Sequence, residues 1–335
     1  MSNDVLTGPC PASHKHLAGY RALNRKLRRA EWRWVLIAAL AVFGFLVPRA
    51  VAAAEAGSAA ADGDYIGMEA CLACHQNLQH DFMQTTHAKV FTEKNARTPL
   101  MLRGCEACHG PGKAHAEAGG GKGVGGLVSF RRESPDETGR ENAVCLTCHE
   151  SGRRLYWEGS AHEGRDLGCT SCHQLMKKLS DRAQLAKSSE PEVCAQCHLT
   201  RRSQMFRNAH MPLREGKMTC TSCHNPHGTA TKALLPTDSP NENCYSCHAE
   251  KRGPFLWEHA PVSEDCMNCH DPHGGVRDKM LKLSLPRLCQ QCHVETRHPT
   301  EGRLPTNKLV IGRACVQCHA NIHGSNHPSG FAFTR

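Results

Sequence analysis

Large apolar side chains are scarce in this chain of 335 residues. Aromatics make up 5% of it, with four Trp, four Tyr and nine Phe, and the mean hydropathy is −0.50. That composition does not furnish a conventional hydrophobic core. Long apolar runs are missing as well. A bilayer core needs about 20 residues, and the longest run, Val35 to Val47, has 13. The alternating segments of a lipid-facing barrel strand are absent. So are basic blocks interleaved with aromatics, which excludes a nucleic-acid partner. The Gly-rich stretch Gly119 to Gly126 contains Gly-Lys-Gly but not the Ser or Thr of a phosphate loop, and reads as a flexible loop.

Cysteine and histidine are abundant instead, at 21 and 23 residues. Twenty of the cysteines fall in ten Cys-x-x-Cys-His motifs, and only Cys10 is left over. The pairs are Cys71 and Cys74, Cys105 and Cys108, Cys145 and Cys148, Cys169 and Cys172, Cys194 and Cys197, Cys220 and Cys223, Cys244 and Cys247, Cys266 and Cys269, Cys289 and Cys292, and Cys315 and Cys318. Chance would give about 0.1 copies at this composition. The motif is the attachment signature of haem c: two thiols add across the vinyl groups, and the adjacent histidine ligates the iron. Zinc sites and redox dithiols are the competing readings, but neither requires a histidine after every second cysteine. The proximal ligands are then His75, His109, His149, His173, His198, His224, His248, His270, His293 and His319.

The N-terminus fits export. A basic stretch precedes the apolar run, and Ala50-Val51-Ala52-Ala53-Ala54 follows it. This is the pattern of a signal peptide over residues 1–54, cleaved near 52–54. Cys10, His14 and His16 lie before the cut. Residues 1–54 hold eight of the 41 basic and two of the 32 acidic residues, leaving the mature chain at +3. Ten ferric haems at about −1 each bring it to roughly −7.

About 281 residues then serve ten motifs, roughly 28 per haem. The expected fold is a multihaem c-type cytochrome: short α-helices and irregular loops wrapped around a linear haem array, with little β. The haems form the core, so the apoprotein is expected to be largely unfolded. The motifs alternate in type. One type follows a polar or Pro-containing lead, at Cys145, Cys194, Cys244 and Cys289, with spacings of 49, 50 and 45 residues. The other follows a free histidine, as His162 precedes Cys169 and His259 precedes Cys266. A period in this range signals a linear array.

Eleven further histidines remain in the mature chain for ten distal positions. The expected distal ligands are His87, His115, His162, His210, His227, His259, His273, His298, His323 and His327. His80 is the spare, lying five residues past His75. His227 and His273 sit in Asn225-Pro226-His227-Gly228 and Asp271-Pro272-His273-Gly274. Each is three residues past a proximal histidine, too close to reach round the same iron, so each should ligate a neighbouring haem. Methionine is the competing sixth ligand; Met83, Met205, Met211 and Met218 are near but not needed to complete the count. A haem enzyme needs an open iron, and this histidine supply closes every site. An electron-transfer protein without catalytic residues is expected.

The ten motifs, the histidine count, the Asn/Asp-Pro-His-Gly elements and the C-terminal His323-Gly324-Ser325-Asn326-His327-Pro328-Ser329-Gly330 together resemble the decahaem MtrA/DmsE cytochromes, including the PioA and MtoA types. The resemblance covers about residues 65–335. It implies two tandem pentahaem halves, here 55–205 and 206–335. It also implies a periplasmic, outer-membrane-associated conduit inside a porin-like β-barrel sheath. Periplasmic or inner-membrane cytochromes would stand at one end, and an extracellular multihaem cytochrome or reductase, iron, other metals or dimethyl sulfoxide respiration at the other. Family members work in both directions. A soluble periplasmic shuttle or store shares the same chemistry and differs in its partners. A multihaem reductase is the other alternative.

Overall fold

The computed structural model describes residues 62–131, 134–210, 213, 215–294 and 315–334. The signal-peptide segment, His298 and Met211 lie outside the described residues. Residues 62–335 fall in one compact unit.

Short helices and loops make up this unit. Ten α-helices occur among the described residues: α1 (Met68–Cys74), α2 (Gln76–Met83), α3 (Thr86–Val90), α4 (Glu106–His109), α5 (Lys113–Glu117), α6 (Pro135–His149), α7 (Glu190–Cys194), α8 (Leu199–Met205), α9 (Pro240–Tyr245) and α10 (Ala260–Glu264). The longest has 15 residues. The β structure among them is a few isolated bridges, such as Asn208 with Gly275 and Trp257 with Ser325. This is the wrapped-array architecture that the composition implied. None of the described helices is long and apolar enough to cross a membrane.

Two of the Pro-containing leads form capped α-helices for local reasons, whereas the one before Cys289 leads into the single 3₁₀ turn Cys289–Gln291. Ser134 caps α6 by accepting from the Glu137 N–H at 3.2 Å, and Pro135 opens its first turn. Ser239 does the same for α9 through Glu242 at 3.1 Å, with Pro240 behind it. A side-chain oxygen at the cap satisfies an orphan donor, and a proline at the first position loses no bond. The motif then rides on the C-terminal part of the helix: Cys145 to His149 lie inside α6. The motifs of the other type begin in single 3₁₀ turns, at Cys169–Ser171, Cys220–Ser222, Cys266–Asn268 and Cys315–Gln317.

A conventional core is missing. The buried apolar residues among those described are Phe82, Ala88, Leu185, Val193 and Phe333. More polar than apolar residues are buried, and they act as clamps. Asn142 on α6 accepts the Cys169 N–H at 2.8 Å, and Asn241 on α9 accepts the Cys266 N–H at 2.7 Å. The Glu190 carboxylate accepts from Thr221 N–H at 2.6 Å and from its hydroxyl at 2.8 Å. The Glu106 carboxylate takes the N–H groups of Gly67 at 2.8 Å and Gly112 at 2.7 Å. Each clamp ties a motif of one type to its neighbour of the other, so the motifs are built as pairs.

Candidate haem-binding sites

The leading cysteines of each pair of motifs meet. The thiol of Cys71 lies beside that of Cys105, Cys145 beside Cys169, Cys194 beside Cys220, Cys244 beside Cys266, and Cys289 beside Cys315, close enough for each pair to shift one another's titration. Burial and the partner sulfur push the thiols of Cys71, Cys244 and Cys289 up to about 11. The pairs also lie near their neighbours. Cys148 lies close enough to raise Cys108, Cys172 to raise Cys194, Cys247 to raise Cys223, and Cys292 to raise Cys269. Proximity therefore passes from each motif to the next in chain order, from Cys71 to Cys315.

The sequence treats the twenty motif cysteines alike, and the fold does not. All ten leading cysteines are half-buried, as are the second cysteines Cys108, Cys172, Cys223 and Cys269. The second cysteines Cys74, Cys148, Cys197, Cys247, Cys292 and Cys318 are exposed. Cys197 and Cys318 are thus not enclosed by the fold. Cys197 follows the end of α7 at Cys194, and Cys318 follows the single turn Cys315–Gln317, so each stands where the local helix has already stopped. A thiol must be reachable by a vinyl group to form a thioether, so this exposure is compatible with attachment. What assigns Cys197 and Cys318 to haem is the motif spacing, and not a contact that buries them.

Five of the motif histidines are oriented by backbone. After the motifs at Cys169, Cys220, Cys266 and Cys315 the chain loops back through left-handed residues, among them Ala183, Ala233, Lys279 and Phe333. Carbonyls there accept the Nδ1 hydrogen: His173 donates to Ala183 at 2.8 Å, His224 to Ala233 at 2.7 Å, His270 to Lys279 at 2.8 Å, and His319 to Ala332. His109 donates to Val128 at 2.7 Å. An Nδ1–H bonded to a carbonyl leaves Nε2 with a free lone pair, the form that binds a metal. A left-handed conformation is costly for non-glycine residues and persists where the surroundings enforce it.

Opposite eight of the motif histidines stands a second histidine ring. The ring centroids are 6.4 Å apart for His75 and His115, 6.0 Å for His149 and His87, 6.1 Å for His173 and His227, and 6.2 Å for His198 and His162. They are 6.0 Å apart for His224 and His273, 6.0 Å for His248 and His210, 6.2 Å for His270 and His323, and 6.2 Å for His293 and His259. Two metal–nitrogen bonds of about 2.0 Å, with each ring centre about 1.1 Å behind its nitrogen, place centroids about 6.2 Å apart. The gaps thus have the width of one iron with two axial imidazoles, so these residues fit haem.

Several second histidines are oriented in the same way as the first. His162 Nδ1 bonds Pro226 O at 2.7 Å, His87 Nδ1 bonds Gln184 Oε1 at 3.0 Å, and His115 Nδ1 bonds Val124 O at 3.0 Å. The last of these sets the loop of the Gly-rich stretch against His115. A Cβ on Gly125 would come within 2.4 Å of the His115 backbone nitrogen. At six of the facing histidines burial favours the neutral ring, the form that iron binding requires. It pushes His227 down to about 4, with His173 adding to the shift. Burial likewise lowers His149, His198, His259, His273 and His323.

The remaining candidates are placed differently. His80 is exposed on α2, bonded to Asp81 and Gln84. His327 is exposed, and its Nδ1 accepts the Ser329 N–H at 3.1 Å. The clamps Asn142, Asn241, Glu190 and Glu106 were not singled out by sequence reasoning. Their signal is a polar residue three or four positions before a first cysteine, and for Glu106 just after one.

The doubled CXXCH motif family matches residues 210–253 and 259–298. The family of NrfB-like cytochrome c-type proteins matches residues 105–197. The chain is 41% identical over 283 residues to the multihaem cytochrome MtrA of Shewanella baltica (strain OS185), covering 81% of this chain and 82% of that protein.

Proposed function

Because the chain belongs to the MtrA family of multihaem c-type cytochromes, we propose that it is a decahaem conduit carrying electrons across the outer membrane, between periplasmic cytochromes and extracellular donors or acceptors. Membership makes it an electron-transfer protein that binds haem c covalently, and not an enzyme. The count of ten haems, the ligand pairs and the route belong to this proposal.

The carrying observation is the unbroken row of motifs, eight of them with two histidine rings at iron-spanning distance. Bound haem supplies the one-electron chemistry. The twenty motif cysteines, the exposed Cys197 and Cys318 included, fix each haem to the chain. The backbone carbonyls set the tautomer of five motif histidines, and the second histidines close the irons to substrate. These eight are His87, His115, His162, His210, His227, His259, His273 and His323; His298 and His327 stand as candidates for the position facing His319.

The second histidines also fasten the array. His87, His162, His210 and His259 each reach forward to the next pair, facing His149, His198, His248 and His293. His227, His273 and His323 each reach back by one pair. Neighbouring pairs are thus stapled in both directions. The tandem pentahaem division at 205/206 is part of the proposal, with His227 of the second half facing His173 of the first.

The exterior of loops and polar residues cannot face lipid, where each unpaired backbone group costs several kcal/mol. A conduit therefore needs a separate outer-membrane β-barrel as sheath, which we propose as the partner. The paramagnetic spectrum of the oxidised protein, recorded with outer-membrane fractionation, tests the reading. Low-spin haems in the outer-membrane fraction support it. Several high-spin haems would favour a reductase, and a purely soluble fraction would favour a shuttle.

A further inference from the structure

His109 differs from the eight paired motif histidines. Among the described residues no histidine ring stands opposite it; its ring neighbour is Phe130, at 5.4 Å. The register of the return loops indicates what takes that place. In four of these units a residue just past the motif histidine, or one further on in the unit of His319, pairs with its own return loop. The N–H groups of Gln174, Asn225, Asp271 and Asn321 donate to the carbonyls of Gln184 at 2.8 Å, Leu234 at 2.7 Å, Met280 at 2.9 Å and Phe333 at 2.9 Å. Two residues further on come Met176, His227, His273 and His323.

The three histidines in this register face the motif histidine of the preceding second-type unit, namely His173, His224 and His270. The unit before Met176 is the one at Cys105, whose histidine is His109. The local turn matches too. The N–H of Met176 donates to Gln174 Oε1 at 3.1 Å, as that of His227 donates to Asn225 Oδ1 at 3.3 Å and that of His273 to Asp271 Oδ1 at 3.1 Å. So does the docking. Asn225 and Asp271 are held by the segment after an earlier motif, through Arg153 O at 2.8 Å and Gln204 Nε2 at 2.8 Å. Lys177, next to Met176, likewise reaches the segment after an earlier motif, through an exposed ion pair with Asp81 at 3.2 Å.

We infer that Met176 is the sixth ligand of the haem carried by Cys105, Cys108 and His109, an inference that rests on the haem-conduit reading above. His80 is the rival from the same region. It is exposed, bonded to Asp81 and Gln84, and out of register with every facing histidine. A thioether is a recognised axial ligand of haem c and raises its potential relative to a second imidazole. The second haem of the row would then be a high-potential step near one end.

The test is near-infrared magnetic circular dichroism of the oxidised holoprotein, with its Met176→His and Met176→Leu variants. The wild type should show the methionine-to-iron charge-transfer band with about one haem's share of the total intensity. Met176→His should convert that share to the bis-histidine band and lower the potential of one haem. Met176→Leu should create one high-spin haem. A wild type with bis-histidine bands alone, unchanged in Met176→His, would overturn the inference and leave the conduit reading standing. A wild-type high-spin haem that Met176→Leu does not alter would contradict both.

Discussion

His173 and His227 face one another with ring centroids 6.1 Å apart and planes within 10° of parallel. That separation is too wide for two stacked rings in contact and fits one metal ion between two imidazoles. Gly228 makes the approach of His227 possible. Its φ is +109°, and a Cβ there would lie 1.9 Å from the Tyr156 carbonyl oxygen. His227→Ala should open one iron and yield one high-spin haem, read by electron paramagnetic resonance. Gly228→Ala should perturb the same haem by displacing the loop. An unchanged low-spin spectrum in His227→Ala would remove His227 from the ligand set.

The buried clamps should carry stability rather than haem chemistry. Asn142 accepts the Cys169 N–H at 2.8 Å and donates to Leu167 O at 3.3 Å. Asn142→Ala leaves a part-buried N–H unpaired, at a cost of about 1–3 kcal/mol. Denaturant unfolding should show that loss while pyridine haemochrome still counts the full haem complement.

Folding should depend on haem. So few apolar residues are buried that the chain alone cannot offset its conformational entropy. Expression without the haem-attachment machinery should give an unfolded, protease-sensitive chain by circular dichroism and proteolysis. A cooperative apoprotein would contradict this.

The single-file order of the motifs makes each one a necessary step. Removing the attachment at a central motif, by Cys220→Ala with Cys223→Ala, should reduce end-to-end transfer far more than the loss of one haem in ten. Stopped-flow oxidation of the reduced protein held on an electrode would measure it. A loss of only about one-tenth would mean that the row is bypassed.

The wrapped fold and the covalent binding of haem c were legible because covalent haem chemistry demands a rigid local spacing, which survives in any one-dimensional reading. That spacing does not tell the exposed Cys197 and Cys318 from the half-buried Cys172 and Cys223, because burial depends on which other motif packs alongside. The pairing of His87 with His149, or of His162 with His198, was not legible, because those rings are brought together by loops that the local pattern does not encode. The return loops were missed because left-handed turns at Ala183 and Ala233 carry no glycine or asparagine to announce them. Met176 was invisible for a related reason: its unit lacks the Pro-His-Gly sequence, and only the hydrogen-bond register aligns it with His227 and His273.

The central claim is transfer of electrons across a bilayer by this cytochrome inside a barrel. Its most direct test is a liposome loaded with a reducible dye and given an external reductant. With the cytochrome seated in its outer-membrane barrel partner, the internal dye should be reduced while the bilayer stays sealed; with either component alone it should remain oxidised. Reduction by the cytochrome without any barrel, or no reduction by the assembled pair, would contradict the account.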